Sequence, residues 1–162
     1  MEEIEIIPIG LALIDEILSI QVECGLSEWT RGGYLDELDR PDSVLIAARV
    51  DEVIVGFLAG RAPASTTSQP SQADIYNIGI RSASRRMGIG TALLSAFLEK
   101  CEKRGAEKVW LDVRSSNHPA IAFYVQHGFV KTGTRKAFYT NPTEDADVMC
   151  RIADRPAARQ IY

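Results

Sequence analysis

The 162-residue sequence predicts a single α/β (α+β) domain built on a mixed, mostly antiparallel central sheet with helices on both faces. Three observations carry this. Short runs rich in β-branched residues alternate with stretches whose apolar residues recur at helical spacing. The best helix lies between two strands, which then pair in parallel through a right-handed crossover. The early and late strand pairs read as antiparallel hairpins.

In chain order, Ile4 to Ile9 reads as a strand and Leu11 to Cys24 as an amphipathic helix. Gly32, Gly33 and Pro41 break the next stretch, which holds a short helix around Tyr34 to Leu38. SVLIAARV and VIVGFLAGR are two strands separated by Asp51-Glu52. Ala62 to Ala73 is a flexible polar loop rich in Ser, Thr and Pro, and DIYNIGI is the next strand. TALLSAFLEKCEKRG follows as the strongest helix, with Leu93, Leu94, Phe97, Leu98 and Cys101 in one stripe and Gly105 as its stop. KVWLDV is a nearly continuous apolar strand, expected to be buried on both faces. PAIAFYVQHG is a short helix opened by Pro119 and closed by Gly128. FVKTGTRKAFY and DADVMCRI complete a domain spanning residues 1–152, with a loose tail at 153–162. There is no internal repeat and no linker.

Eighteen basic residues against 22 acidic ones give a net charge of −4 and a pI of about 5.2. That balance argues against a general nucleic-acid binder and fits a cationic partner such as an amine. No apolar run approaches the ~20 residues of a membrane span, and the acidic start MEEIEIIPIG is not that of a signal or transit peptide. The expectation is a cytoplasmic protein with no membrane and no nucleic-acid partner. Cys24, Cys101 and Cys150 are far apart with no CxxC spacing, so all three are expected reduced and buried. His118 and His127 lack metal-ligand spacing, and TEDAD (Thr143 to Asp147) lacks the closing glutamate of a calcium loop, so it reads as a solvated turn. No metal is expected.

RRMGIG, Arg85 to Gly90, connects a strand to the long helix. Such a turn gathers backbone N–H groups at the positive end of a helix dipole, where an anion is welcome. Gly88 and Gly90 carry no Cβ to block an approaching phosphate, and Arg81, Arg85 and Arg86 add positive charge. Two phosphate motifs are excluded: a P-loop needs Gly-Lys-Ser/Thr, and here Thr91-Ala92 follows Gly90; a dinucleotide fingerprint needs a third glycine where Leu93 stands. Alone, the turn fits an anion cradle or a plain connection with a solvated arginine face.

From Tyr76 to Met149, the order of RRMGIG, WLDVRSSN, AIAFY, HGF, RKAFY and EDADVM resembles the GNAT acetyltransferases, most closely the RimI-type protein N-α-acetyltransferases. The first 75 residues match only in element order. The resemblance implies a GNAT fold, with a splayed parallel strand pair at the cofactor site, and acetyl-CoA as acetyl donor with CoA as product. By the same resemblance the pyrophosphate lies on Arg86, Met87, Gly88, Ile89, Gly90 and Thr91, with Arg85 heading the motif. The backbone of Ile78, Gly79 and Ile80 runs beside the pantetheine arm, and Asn117 contacts the cofactor. Tyr124 is placed beside the sulfur as general acid. Asp112 stands where RimI-type enzymes carry a glutamate general base, one methylene shorter, which favours a water relay. Tyr139, Trp29 and Glu28 border the peptide side.

The chemistry so implied is attack of an amine on a thioester, with proton removal, oxyanion stabilisation and protonation of the leaving thiolate. A phenol of pKa about 10 donates readily to a thiolate of pKa near 8.5, and an α-amine near 8 needs only a modest base. The substrate implied is a protein or peptide N-terminus, for RimI that of a ribosomal protein, with the enzyme a monomer or homodimer. A GNAT acting on a small amine or an internal lysine, and a non-catalytic acyl-CoA-binding module, remain as alternatives. On residue pattern alone, Tyr124 is equally a tyrosine packed on an amphipathic helix, and Asp112 an aspartate holding a neighbouring backbone.

Overall fold

A computed structural model describes residues 2–26, 29–66 and 68–153. Seven strands form one sheet in the order β1-β2-β3-β4-β5-β7-β6. They are β1 (Glu5–Pro8), β2 (Ser43–Val50), β3 (Val53–Arg61), β4 (Ser71–Ile80), β5 (Ala106–Arg114), β6 (Val130–Tyr139) and β7 (Glu144–Ile152). Only β4 and β5 pair in parallel, and every other pair is antiparallel. The helices are α1 (Ile14–Glu23), α2 (Arg31–Leu38), α3 (Ile89–Lys103) and α4 (His118–Gln126).

Each element has a local cause. Thr30 caps α2 by accepting from Gly33 N–H at 3.0 Å, so this helix starts earlier than the Tyr34 expected from pattern. Asp51 and Glu52, both at positive φ, make the tight turn between β2 and β3. Asn117 caps α4 with Pro119 in its first turn, and Gly128 at φ +87° ends it.

The two faces are covered unequally. α3 and α4 bury Leu93, Leu94, Phe97 and Tyr124 against Val44, Ile46 and Leu58. On the opposite face α1 packs on β3 and β4, and α2 on β2, burying Ile14, Ile17, Ile20 and Tyr34 over Leu45, Ala47 and Phe57. That second layer stops at β4. KVWLDV is therefore buried on one face only: Val109, Leu111 and Val113 are in the core, while Lys108, Trp110 and Asp112 are half-exposed on the uncovered side.

Two further expectations are corrected. β4 begins at Ser71, inside the segment read as loop, because Ser71 and Ala73 are buried and pair with Ala106 and Val109 of β5. TEDAD is not a solvated turn. Glu144 opens β7 and binds Arg114 and Ser116, Asp145 accepts from Ala137 N–H at 2.8 Å, and Asp147 is buried against Ser115. Cys101 and Cys150 are buried as expected; Cys24 is half-buried. Residues 154–162 of the expected tail lie outside the described residues, as does Glu28.

Candidate functional site

β4 and β5 hold their parallel pairing only as far as Ile75 and Leu111, then part. Just beyond, β4 carries an extra residue: Ala59 of β3 faces Asn77 and Gly60 faces Ile75, leaving Tyr76 as a bulge. The bulge reverses the alternation. Ala73 and Ile75 face the α3 layer, but Asn77 and Gly79 face α1, while Ile78 and Ile80 pack toward α3. Past this point the β5-facing edge of β4 has no strand partner, so alternate N–H groups of 76–80 open onto the gap. The gap is a cleft of about 830 Å3, with α1 and Leu26 on one flank, the segment Phe138 to Asn141 on the other and α4 beneath.

Beside the cleft, next to its lining residue Cys24 but outside its lining, lies the start of α3. Gly88, at φ +80° with open space where a Cβ would stand, is its N-cap, and no side chain caps the helix. The first-turn N–H groups of α3 thus lack an intrahelical partner and a side-chain cap. Gly90 has a different reason to be glycine than the anion approach expected for it. A Cβ there would meet Ile80 Cδ1 at 3.2 Å and Phe123 at 3.4 Å, so its absence lets α3 sit against β4 and α4. The arginines also divide. Arg81 bonds Glu23 at 3.0 Å and the Ile54 carbonyl at 3.2 Å; Arg85 turns back to the Ile80 carbonyl at 3.3 Å and Cys24 Sγ at 3.8 Å. Arg86 sits at φ +65° and Met87 is exposed beside it. Thr91 Oγ1 lies 3.3 Å from His127 Nε2, which ties the start of α3 to the end of α4.

In the middle, Tyr124 and Asp112 both line the cleft. Tyr124 packs edge-on against Phe123 and Phe129, and its hydroxyl makes no hydrogen bond to another described residue. Burial first, and Tyr139 second, push its pKa well above the usual phenol value, so it stays protonated at any physiological pH. Asp112 accepts from Arg135 Nε at 3.1 Å, an ion pair formed across β7. Asn117 lines the cleft while its Oδ1 accepts from Ala120 N–H at 3.3 Å. Ile78 lines the cleft too, whereas the Ile80 carbonyl accepts from Cys24 and Arg85.

On the far side, Tyr139 lines the cleft with Arg114 stacked on its ring at 4.4 Å; burial and Asp112 push its pKa up to about 12, against the pull of Arg114. Trp29 does not line the cleft but packs between Tyr34 and Tyr76, at 5.2 and 5.5 Å. Its carbonyl accepts from Gln21 Nε2, and Gln21 Oε1 accepts from the buried Tyr34 hydroxyl at 2.6 Å. This polar lattice fixes the α1 wall.

Sequence reasoning missed Asp74, Tyr76, Cys24 and Arg135. Asp74 had a signal, as the one carboxylate in an apolar strand; Arg135 had none, being paired with Asp112 from 23 residues away. Among the described residues no group of three or more His, Cys, Asp or Glu is placed to hold a metal, and no helix is long and apolar enough to cross a membrane.

Against known proteins, a family model described as the acetyltransferase (GNAT) family matches residues 14–129. A Mycobacterium tuberculosis protein named N-alpha-acetyltransferase RimI is 31% identical over 144 residues, covering 86% of this chain and 85% of that one. An Escherichia coli (strain K12) protein named [ribosomal protein bS18]-alanine N-acetyltransferase is 40% identical over 80 residues, 48% of this chain and 54% of that one. The crystal structure of Ard1 from Thermoplasma volcanium superposes with a TM-score of 0.83 at 29% identity, over 94% of this chain and 99% of that one.

Proposed function

The chain belongs to the GNAT acetyltransferase family, an N-acetyltransferase by that membership, and from this premise we propose that it acetylates the N-terminal α-amine of a protein or peptide. One observation carries the reading. The parting of β4 and β5 beyond Ile75 and Leu111 opens a cleft lined by a buried protonated phenol and a carboxylate, and the uncapped start of α3 lies near it through the contact of Arg85 with Cys24.

Acetyl-CoA supplies the acyl thioester. The site suits it: Gly88 leaves open space before the free N–H groups of α3, and the nearby Arg86 side chain makes no hydrogen bond or ion pair with another described residue. In this reading the N–H groups of Arg86 to Thr91 take the pyrophosphate, as a helix start does. The free edge of β4 supplies an N–H to the carbonyl oxygen as negative charge grows on it, worth roughly 3 kcal/mol per donor. Tyr124 gives its proton to the departing sulfur. Asp112, paired with Arg135, draws the proton from the incoming ammonium through water, its shorter side chain spanning less of the gap than a glutamate would. Asn117 steadies the cofactor side of the cleft, and Tyr139 the peptide side. Trp29 acts one layer back, by bracing Tyr76. A ribosomal-protein terminus is the substrate to try first, given the names of the relatives.

The test is acetylation of a library of N-terminal peptides by the full chain with acetyl-CoA, read by mass and fragment position. Acetyl groups on α-amines are the expected result; label only on lysine side chains, or none on any amine, overturns it.

A further inference from the structure

A second groove of about 320 Å3 lies on the uncovered face of the sheet and adjoins the cleft: Tyr76 and Asp112 line both. Its other walls include Asp74, Trp110 and Arg135. Strand register explains the cluster. Asp74 sits opposite Trp110 on the parallel pair, with Tyr76 and Asp112 each two residues further along, so all four project from the same face.

The charges in this groove do not balance. Arg135 is engaged by Asp112, and Arg61, which lies over the Tyr76 ring at 5.3 Å, is engaged by Glu37. The Asp74 side chain is half-buried and makes no hydrogen bond or ion pair with any other described residue. Its pKa is raised by burial and by Asp112, with Arg61 opposing, the mark of a carboxylate short of a positive neighbour. The groove is also shaped for a long side chain. Trp110, whose indole N–H is fixed on Gln72 Oε1 at 2.8 Å, and Tyr76 offer flat apolar walls on which an alkyl stem lies while its charged head reaches Asp74.

We propose that this groove is a specificity subsite in which Asp74 receives the side chain of a lysine or arginine lying within the first few residues after the acetylated one. The inference rests on the protein N-terminus reading. Asp112, at the junction of the two cavities, faces the reacting amine, and Asp74 lies one step further out along the chain.

Peptides with a fixed first residue and Lys, Ala or Glu at positions two, three and four, offered to the wild-type enzyme with acetyl-CoA, test it without any variant. Lysine at one of these positions is expected to raise kcat/KM about tenfold over alanine, chiefly through KM, as suits a half-exposed charged contact. Asp74→Asn is expected to bring that ratio near unity, and Asp74→Lys to turn the preference toward Glu. Equal wild-type rates for Lys and Ala peptides overturn the subsite and leave N-terminal acetylation standing. A ratio that survives Asp74→Asn while all rates fall together also overturns it, making Asp74 a general support of the site. If no peptide α-amine is acetylated at all, the N-terminus reading and the subsite fall together.

Discussion

Tyr124 and Asp112 face the same cleft under opposite conditions, and their predicted behaviour differs accordingly. Tyr124 is buried, and its raised pKa keeps the acid form through the alkaline range. The sign is therefore clear: kcat should climb as the substrate amine loses its proton and should not fall again up to pH 10, which a rate profile from pH 6 to 10 checks. Tyr124→Phe should lower kcat about 100-fold while the acetyl-CoA dissociation constant changes about twofold at most. Equal loss of both would make it a packing residue. Asp112→Asn should cost most at the acid end, where more amine is charged; an unchanged pH profile removes the carboxylate from proton transfer. Their meeting in one cleft was legible through the family resemblance of WLDVR and AIAFY. The Arg135 partner was not, because an ion pair formed across an intervening strand leaves no pattern in the chain.

Among the elements, the turn into α3 shows how one motif serves two ends. Gly88 needs its left-handed backbone, so Gly88→Ala costs about 1 kcal/mol and tilts the N–H groups that follow. Gly90 needs space. A Cβ there pushes on Ile80 and Phe123. Calorimetry with CoA and a thermal melt should therefore separate them: Gly88→Ala mainly weakens CoA binding, and Gly90→Ala mainly lowers Tm. The sequence marked both glycines but could not tell their purposes apart, since only packing distinguishes an open N-cap from a close helix contact. The same limit applied to β5, whose apolar run reads alike whether one face is covered or two. It applied to β4 as well, where Ser71 and Ala73 look like loop and become strand through pairing with β5.

At the scale of the molecule, stability and access are distributed over different parts of the sheet. The α1/α2 layer is pinned partly through Glu37, buried at 5% exposure, which binds Arg61 and the Ser43 hydroxyl. Burial alone would raise its pKa, yet the hydrogen bonds of Arg61 and Ser43 outweigh that and hold it below the usual carboxylate value. A lowered folded-state pKa adds stability above the unfolded value near 4.3, and that stability fades as pH falls through the folded value. Glu37→Gln should thus cost about 2 kcal/mol at pH 7 and progressively less as pH falls below the usual carboxylate value, measured by denaturant unfolding across that range. The alternation of strands and helices made this architecture readable in advance. The uneven covering of the sheet was not readable, because it depends on where α1 and α2 run out.

The extra residue in β4 makes the strand's count a matter of parity. Tyr76 is the odd member that shifts all that follows it by half a pleat. Were Tyr76 held in a regular ladder, Ile78 and Ile80 would turn toward α1 and the Asn77 amide toward the apolar layer under α3. Removing Tyr76 would instead join Ile75 directly to Asn77 opposite Gly60 and Ala59, a regular ladder with every later side chain on its present face.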